Sequence, residues 1–513
     1  MTAPVEPEPA LPGGAHRAAS LIVALLLLPA AAFAGPRVKP VAPEPDARYA
    51  LGTAARADVP DAWWTSFGDP ALDALVVEAL EANHDLGGAQ ARIHSAQGVA
   101  VQNLAPLLPT ASFDVGLNAS PSANAANQIA PQLQKLFEDL AELSENIPGQ
   151  PAEEEEDTEE DPDVTWNGSA LFNFGLNIDL GRSAFAFRAA QLDAAAARGD
   201  RDGVARVLVQ QVVGAWLDVR TARARIALVE QQIATNEILL DITRRRFVGG
   251  DSRGLDVLQQ QQQLAATRAL LPTARQLLRL RSVQLATLLG RDPSNPQLPD
   301  SPELASLPAL PPNPGVGTPR DLVDLRPDVR AAQARYLAAQ ARVVSGALSF
   351  APTFRLTGNL GWGLRWFNEW DSWETWGFGA AVSVPLFGGG QRHGAMRQAN
   401  GAADAAAHTL SQAILTAQGE VESALAREDT EGERLAALQE VLTASRTAYE
   451  ESTRQYAGGL VNYLTVLTSL ASLQSSELNH LQAQRDLLGA RVDLHTALGT
   501  PWAGNLSATG ADR

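Results

Sequence analysis

Three glycines in a row, Gly388-Gly389-Gly390, follow a strand-like segment and precede a helix-like one, where a phosphate-cradling turn would sit. That chemistry fails on two counts. The G-x-G-x-x-G spacing is absent, and the preceding segment alternates apolar with polar residues, whereas the buried parallel strand of a nucleotide fold is apolar throughout. Histidine offers little more: His393 and His408 fall on one predicted helix, His480 and His495 on another, at spacings too wide for one metal ion. Glu153-Glu154-Glu155-Glu156-Asp157, with Glu159, Glu160 and Asp161 close behind, could ligate calcium, but nothing fixes ligand geometry, and a block of like charge reads as solvated. No G-x-S-x-G elbow, P-loop or H-E-x-x-H occurs. With no cysteine, thiolate metal sites, a cysteine nucleophile, disulfides and a lipidated N-terminal cysteine are excluded. The reading is of a protein that is not an enzyme and carries no cofactor or metal.

The elements that would position functional residues are therefore the better guide. The chain has 513 residues, 45% hydrophobic and 19% charged, within the range of ordered proteins. A formal net charge of −18 argues against nucleic acid as a partner. Residues 1–34 read as a signal peptide: an apolar run Leu21–Leu28 follows His16-Arg17, and Ala32-Phe33-Ala34 supplies a cleavage site. That run is too short to span a bilayer, which takes about 20 residues. Export without a helical span leaves a secreted protein or a β-barrel.

The chain repeats itself. Phe247-Val248-Gly249-Gly250 with Leu255-Asp256-Val257-Leu258 returns as Tyr456-Ala457-Gly458-Gly459 with Leu464-Thr465-Val466-Leu467, 209 residues on (458 − 249 and 466 − 257). Upstream, Ala89-Gln90-Ala91-Arg92 and Pro109-Thr110 return as Ala332-Gln333-Ala334-Arg335 and Pro352-Thr353, 243 residues on (352 − 109). Two internal repeats thus carry the same elements, the first with about 34 extra residues (243 − 209) in its middle. The expected plan is an N-terminal extension at 35–65, a first repeat at 66–290, a Pro-rich linker at 291–318, a second repeat at 319–499 and a tail at 500–513.

Each repeat opens with a helix (68–104; 320–349) and then switches to a period of two. The segments are 111–119, 165–180, 353–366 and 374–387, the first two separated by the acidic insert 119–164. Phe172, Phe174, Leu176 and Ile178 alternate with Asn173 and Asn177; Trp376, Phe378, Ala380 and Val382 alternate with Gly377, Gly379 and Ser383. Roughly ten alternating residues with aromatics toward both ends is the signature of a membrane strand. Helical hairpins follow at 183–290 and 390–499. In the first, Leu208, Val212, Ala215, Val219, Ala222, Ile226, Val229 and Ile233 form a 4-3 heptad seam, so the helix packs side by side with others as a coiled coil. Gly249-Gly250 and Gly458-Gly459 permit the chain reversals, and Pro272 is expected to bend the first return helix.

Four strands cannot close a barrel, and an open edge cannot exist in lipid. Membrane strands therefore require several copies to pool their edges, with the helices continuing the tube. A coiled-coil scaffold with a small soluble sheet is the rival class, and detergent dependence separates the two.

The chain resembles the outer-membrane efflux proteins, the TolC-like family. Trp63-Trp64, Phe67, Asp69-Pro70 and Leu72 match the family's opening, and Leu325-Arg326-Pro327-Asp328-Val329-Arg330-Ala331-Ala332 its mid-chain motif. Tyr456-Ala457-Gly458-Gly459 with Asn462-Tyr463-Leu464-Thr465-Val466-Leu467 is similar to the tip of the drug-efflux branch, the RND-associated, NodT-like group. The resemblance, over about 64–502, implies a homotrimer: an α+β membrane protein with a twelve-stranded barrel, four strands per chain, continued by a long α-helical coiled-coil barrel. It implies residence in the outer membrane of a Gram-negative bacterium, contact with outer-membrane lipid, and a helical barrel in the periplasm. The implied function is the exit duct of a tripartite efflux system, with the duct of a type I secretion system as the alternative. The implied partners are a periplasmic adaptor (membrane fusion) protein and an inner-membrane transporter of the RND type. Val248, Gly249, Gly250, Ala457, Gly458 and Gly459 match the adaptor-contacting turns. Relatives often carry Asp where this chain has Thr468, within a charged constriction; here the gate would rest on Asp251 or Asp256, on Arg253 pairing with an Asp, or on packing at Tyr463 and Leu464.

Overall fold

The computed structural model describes residues 39–40, 48–50, 62–121, 135, 164–299, 305–367 and 369–499. The signal-peptide segment, most of the N-terminal extension and of the acidic insert, and the C-terminal tail lie outside these residues. The described residues of Ala100–Arg188 and Ala341–Ala399 make one compact unit, and those of Gly35–Val99, Ala189–Gln340 and Asn400–Arg513 another.

The first unit holds the sheet. Strands β1 (Thr110–Pro121), β2 (Val164–Ile178), β3 (Thr353–Phe367) and β4 (Glu369–Ser383) pair antiparallel in the order β1-β2-β3-β4. The register aligns whole rows across the sheet: Phe113 faces Phe172, and Leu360 lies between Phe172 and Trp376. The row alternation gives one apolar and one polar face. Among the described residues nothing covers the apolar face, where Trp376 and Phe378 remain 80% and 78% exposed. A surface of this kind is contact area for lipid or a partner. Among the described residues, β1 and β4 each keep one unpaired edge.

All four strands depart from the expected bounds: β1 and β3 run slightly longer, at 110–121 and 353–367, and β2 and β4 stop earlier at their C-terminal ends. β4 runs over 369–383 rather than 374–387, because Pro385 has no N–H for the ladder, and Glu369 instead pairs with Phe367 in a tight hairpin. β2 stops at Ile178, ahead of Leu180, the one non-glycine residue with positive φ among those described (50°). Leu180 and Gly181 (φ 98°) turn the chain into a helix, and Asp179 accepts the Ser183 amide at 2.9 Å.

The second unit is helical. Helices α1 (Pro70–Ala82) and α2 (His84–Leu104) replace the single helix expected over 68–104. The break falls at Asn83, which is extended (φ −69°, ψ 127°). Its side-chain oxygen caps the next helix through the amides of Asp85 (2.9 Å) and Leu86 (3.2 Å). Its amide group donates to the Leu288 carbonyl at 3.0 Å. Helices α3 (Arg182–Val248) and α4 (Gly254–Leu288) form the first hairpin, α5 (Asp321–Leu325) and α6 (Pro327–Leu348) lead into the second sheet half, and α7 (Gln391–Ala457) and α8 (Tyr463–Leu498) form the second hairpin. At 1.5 Å per residue, α3 and α7 each run roughly 100 Å. Pro272 does not interrupt α4: the helix is continuous through it, with Pro272 exposed and Thr267 and Ala274 buried on either side.

The heptad seam forms. Leu208, Val212, Ala215, Val219, Ala222 and Val229 are buried, while Ile226 and Ile233 are half-buried. The repeat is visible in the cores. One groups Leu208, Val212 and Ala215 with Trp216, Trp63, Leu72 and Leu285; the other groups Ala417, Val421 and Ala424 with Val329, Leu410 and Leu494. The motif residues pin these cores. Asp69 caps α1 through Ala71 (3.0 Å) and accepts from Trp216 Nε1 (2.8 Å) and Arg220 (2.7 Å). Arg326, fully buried, donates to both Asp328 oxygens (3.0 and 2.6 Å) and to the Ala497 carbonyl (3.0 Å), and pairs with Glu420 (2.7 Å). Burial opposes ionisation of Asp328, but the bonds and charge of Arg326 hold its carboxyl below the usual carboxylate range. Among the described residues, no helix is long and apolar enough to cross a membrane.

Candidate functional site

The two glycine turns close the helical hairpins in the same way. After α3, the Asp251 amide reaches back to the Arg246 carbonyl (2.8 Å) and Gly250 N–H to Phe247 (3.0 Å), with Gly250 at φ 85°. After α7, the Leu460 amide reaches the Gln455 carbonyl (2.9 Å) and Gly459 N–H the Tyr456 carbonyl (3.1 Å), with Gly459 at φ 75°. These helix ends need a left-handed residue, which glycine supplies without steric cost. Val248 and Leu460 flank the turns and stand 87% and 79% exposed. Gly249, Gly250, Ala457, Gly458 and Gly459 are exposed with them.

The return helices start on side-chain caps. Asp256 accepts the Arg253 amide (3.1 Å) and the Ser252 hydroxyl (2.9 Å); Asn462 accepts the amide and hydroxyl of Thr465, both at 3.1 Å. Asp251 and Arg253 are exposed, and Arg253 forms no ion pair within the described residues of this chain. Leu464 and Thr468 are exposed, the Thr468 hydroxyl donating to the carbonyl of Thr465 at 3.0 Å.

Tyr463 is different: it is buried. Its hydroxyl donates to Gln260 Oε1 at 2.6 Å. Gln260 in turn donates to the backbone carbonyl (2.9 Å) and side-chain oxygen (3.0 Å) of Asn236, and Asn236 donates to Thr267 Oγ1 (3.3 Å). Burial pushes the Tyr463 phenol up to about 12, so it stays protonated and a donor. Beside it, the Tyr456 ring meets Tyr463 edge to face (centroids 5.4 Å apart), and the Arg246 guanidinium stacks on Tyr456 at 4.5 Å. Further along, Gln232 donates to the Gln474 carbonyl (3.1 Å) and to Glu477 (3.0 Å), and Gln263 donates to Gln474 Oε1 (3.1 Å). Tyr463 is thus brought together with the other hairpin, while Asp251, Thr468 and the turn glycines are exposed.

Sequence reasoning did not single out Gln260, Asn236, Gln232 or Gln474. The signal was available: Gln260, Leu264, Thr267 and Ala274 recur at helical spacing on the buried face of α4, so Gln260 in the run Gln259–Gln263 sits at a seam position.

The arrangement offers no catalytic constellation; it offers protruding, apolar-flanked turns joined to a polar, hydrogen-bonded helix interior. Comparison with known proteins places it. The model of the family described as "Outer membrane efflux protein" matches residues 75–291 and 318–500. The pyoverdine export outer membrane protein OpmQ of Pseudomonas aeruginosa is 30% identical over 453 residues, 88% of this chain and 90% of that protein. Nodulation protein T of Rhizobium leguminosarum bv. trifolii is 24% identical over 442 residues, 86% of this chain and 87% of its own. The solved outer-membrane channel OprN superposes with a TM-score of 0.75 at 25% identity, over 91% of this chain and 99% of that one.

Proposed function

The chain belongs to the outer membrane efflux protein family, and from that premise we propose that three copies form the exit duct of a tripartite efflux system. Three four-stranded sheets would join edge to edge into a twelve-stranded barrel in the outer membrane, apolar face to lipid and polar face to a water-filled passage. The paired hairpins would continue it as a helical barrel in the periplasm.

The observation that carries this reading is the sheet itself. Among the described residues it has two unpaired edges and a largely exposed apolar face, neither of which is tolerable in one isolated chain. The exposed turns at Val248–Gly250 and Ala457–Leu460 would dock the periplasmic adaptor, and an RND-type inner-membrane transporter would supply the energy. Asp251, Arg253, Asp256, Leu464 and Thr468, around the buried Tyr463, would form the periplasmic gate. The name of the pyoverdine export relative favours a small-molecule cargo over a secreted protein. Light scattering of detergent-extracted protein tests the assembly: three times the chain mass is expected. A monomer that stays monodisperse without detergent would overturn it.

A further inference from the structure

One aromatic residue breaks the two-faced pattern of the sheet. Trp373 of β4 lies opposite Gly363 of β3, in the row Gly116, Ser169, Gly363, Trp373, which belongs to the polar face. The ring lies over Gly363 so closely that a Cβ there would collide with Cε2 and Cζ2 of the indole. The glycine is therefore what lets the ring lie flat on the sheet. Trp373 keeps 40% of its surface exposed. Next to it runs the row Asn118, Asn167, Arg365, Asp371. The Arg365 guanidinium carbon sits 5.5 Å from the Trp373 ring centroid, and its Nε donates to Asn167 Oδ1 at 3.3 Å. Among the described residues its terminal amino groups make no further hydrogen bond, and it forms no ion pair with Asp371, the residue opposite.

We infer that Arg365 and Trp373 form a binding station on the passage wall for planar aromatic carboxylates. An indole laid on a bare backbone presents a flat apolar surface, and a guanidinium oriented by Asn167 and the ring presents a fork that matches a carboxylate. The two rows lie near the β3–β4 hairpin; the chain enters β3 and leaves β4 at the opposite end, toward the helices. In the assembly three such stations would ring the outer mouth, so a departing aromatic anion meets cationic and aromatic groups just before release. The inference rests on the polar face lining the passage.

The probe is 2-naphthoate, titrated calorimetrically into the detergent-solubilised protein, with cyclohexanecarboxylate as the anion lacking a flat face. Saturable 2-naphthoate binding is expected, with cyclohexanecarboxylate much weaker. Arg365→Gln and Trp373→Ala should each weaken 2-naphthoate about tenfold. Trp373→Tyr, which keeps a ring, should retain most of the affinity. Absence of saturable binding to the unaltered protein, or equal affinity in Arg365→Gln, overturns the station. Because the chain has no cysteine, the reading beneath it is tested separately in liposomes. Thr375→Cys, on the polar face, should react with a membrane-impermeant maleimide, and Trp376→Cys, on the apolar face, should not. Labelling of Thr375→Cys without naphthoate binding sinks the station alone; protection of Thr375→Cys sinks the passage assignment.

Discussion

The phenol of Tyr463, at the start of α8, donates a 2.6 Å hydrogen bond to Oε1 of Gln260 in α4, a residue 203 positions away in the other repeat. Both partners are buried, so the bond replaces water that neither group can reach. Tyr463→Phe should leave the Gln260 oxygen unsatisfied and cost about 1–3 kcal/mol. Gln260→Leu removes that acceptor but also strands the two Asn236 oxygens to which Gln260 donates, so the double variant should melt below Tyr463→Phe yet above the sum of the two single losses. Thermal melts of the two single variants and the double variant measure the coupling, and simple additivity would show that the bond carries no net stability.

Val248 and Leu460 project from the turns and are mostly exposed. Val248→Asp and Leu460→Asp should change folding stability by less than about 0.5 kcal/mol. Both should abolish efflux in cells that depend on this protein for resistance. Unaltered melting with lost resistance marks a docking defect; retained resistance would remove the turns from the adaptor interface.

Asp256 serves a cap and, in the proposed gate, a charge. Asp256→Asn removes the charge and keeps an acceptor for the Arg253 amide. Divalent-cation block of single-channel current should weaken while melting stays close to that of the unaltered protein. Asp256→Ala should in addition lose about 1 kcal/mol of cap energy. Undiminished block in Asp256→Asn would dismiss Asp256 from the gate.

His495 stacks on Trp63 with ring centroids 5.0 Å apart, and neither ring nitrogen has a hydrogen-bond partner among the described residues. Burial, reinforced by the charge of Arg491, pushes its imidazole down to about 4, against about 6.5 when unfolded. The folded state thus prefers the neutral ring. Between those two values the unfolded chain binds the extra proton, so stability is complete above about pH 6.5 and declines as the pH falls toward 4, by about 3 kcal/mol in all. Denaturation midpoints from pH 7.5 to 4.5 should fall for the unaltered protein and flatten in His495→Gln. Parallel curves would place the acid sensitivity elsewhere.

Arg326 should be the most sensitive single charge. Arg326→Ala strands Asp328 and Glu420 and opens a gap beneath the Ala497 carbonyl. The Asp328 and Glu420 side chains are 40% and 46% exposed, so water screens the charges left behind; a loss of about 1–3 kcal/mol is expected, read as a drop in melting temperature and in trimer yield. A shift within the range of ordinary surface variants would mean that water replaces the guanidinium.

Several features of this protein were legible in one dimension. The duplication, the period-two strands with one apolar face, the heptad seam of α3 and the glycine reversals are local signals, because dihedral preference and side-chain periodicity act over a few residues. Those signals carried the fold class, and too few strands to seal themselves pointed to an assembly. Tertiary structure decided the rest. It broke the first helix at Asn83, because that side chain caps one helix while holding Leu288 from another. It slid β4 toward the hairpin, because Phe367 and Glu369 could pair and Pro385 could not. It also set Tyr463 on Gln260 and laid Trp373 over Gly363. Each of these depends on which residue faces which across separate elements, and no spacing along the chain encodes that until the elements pack.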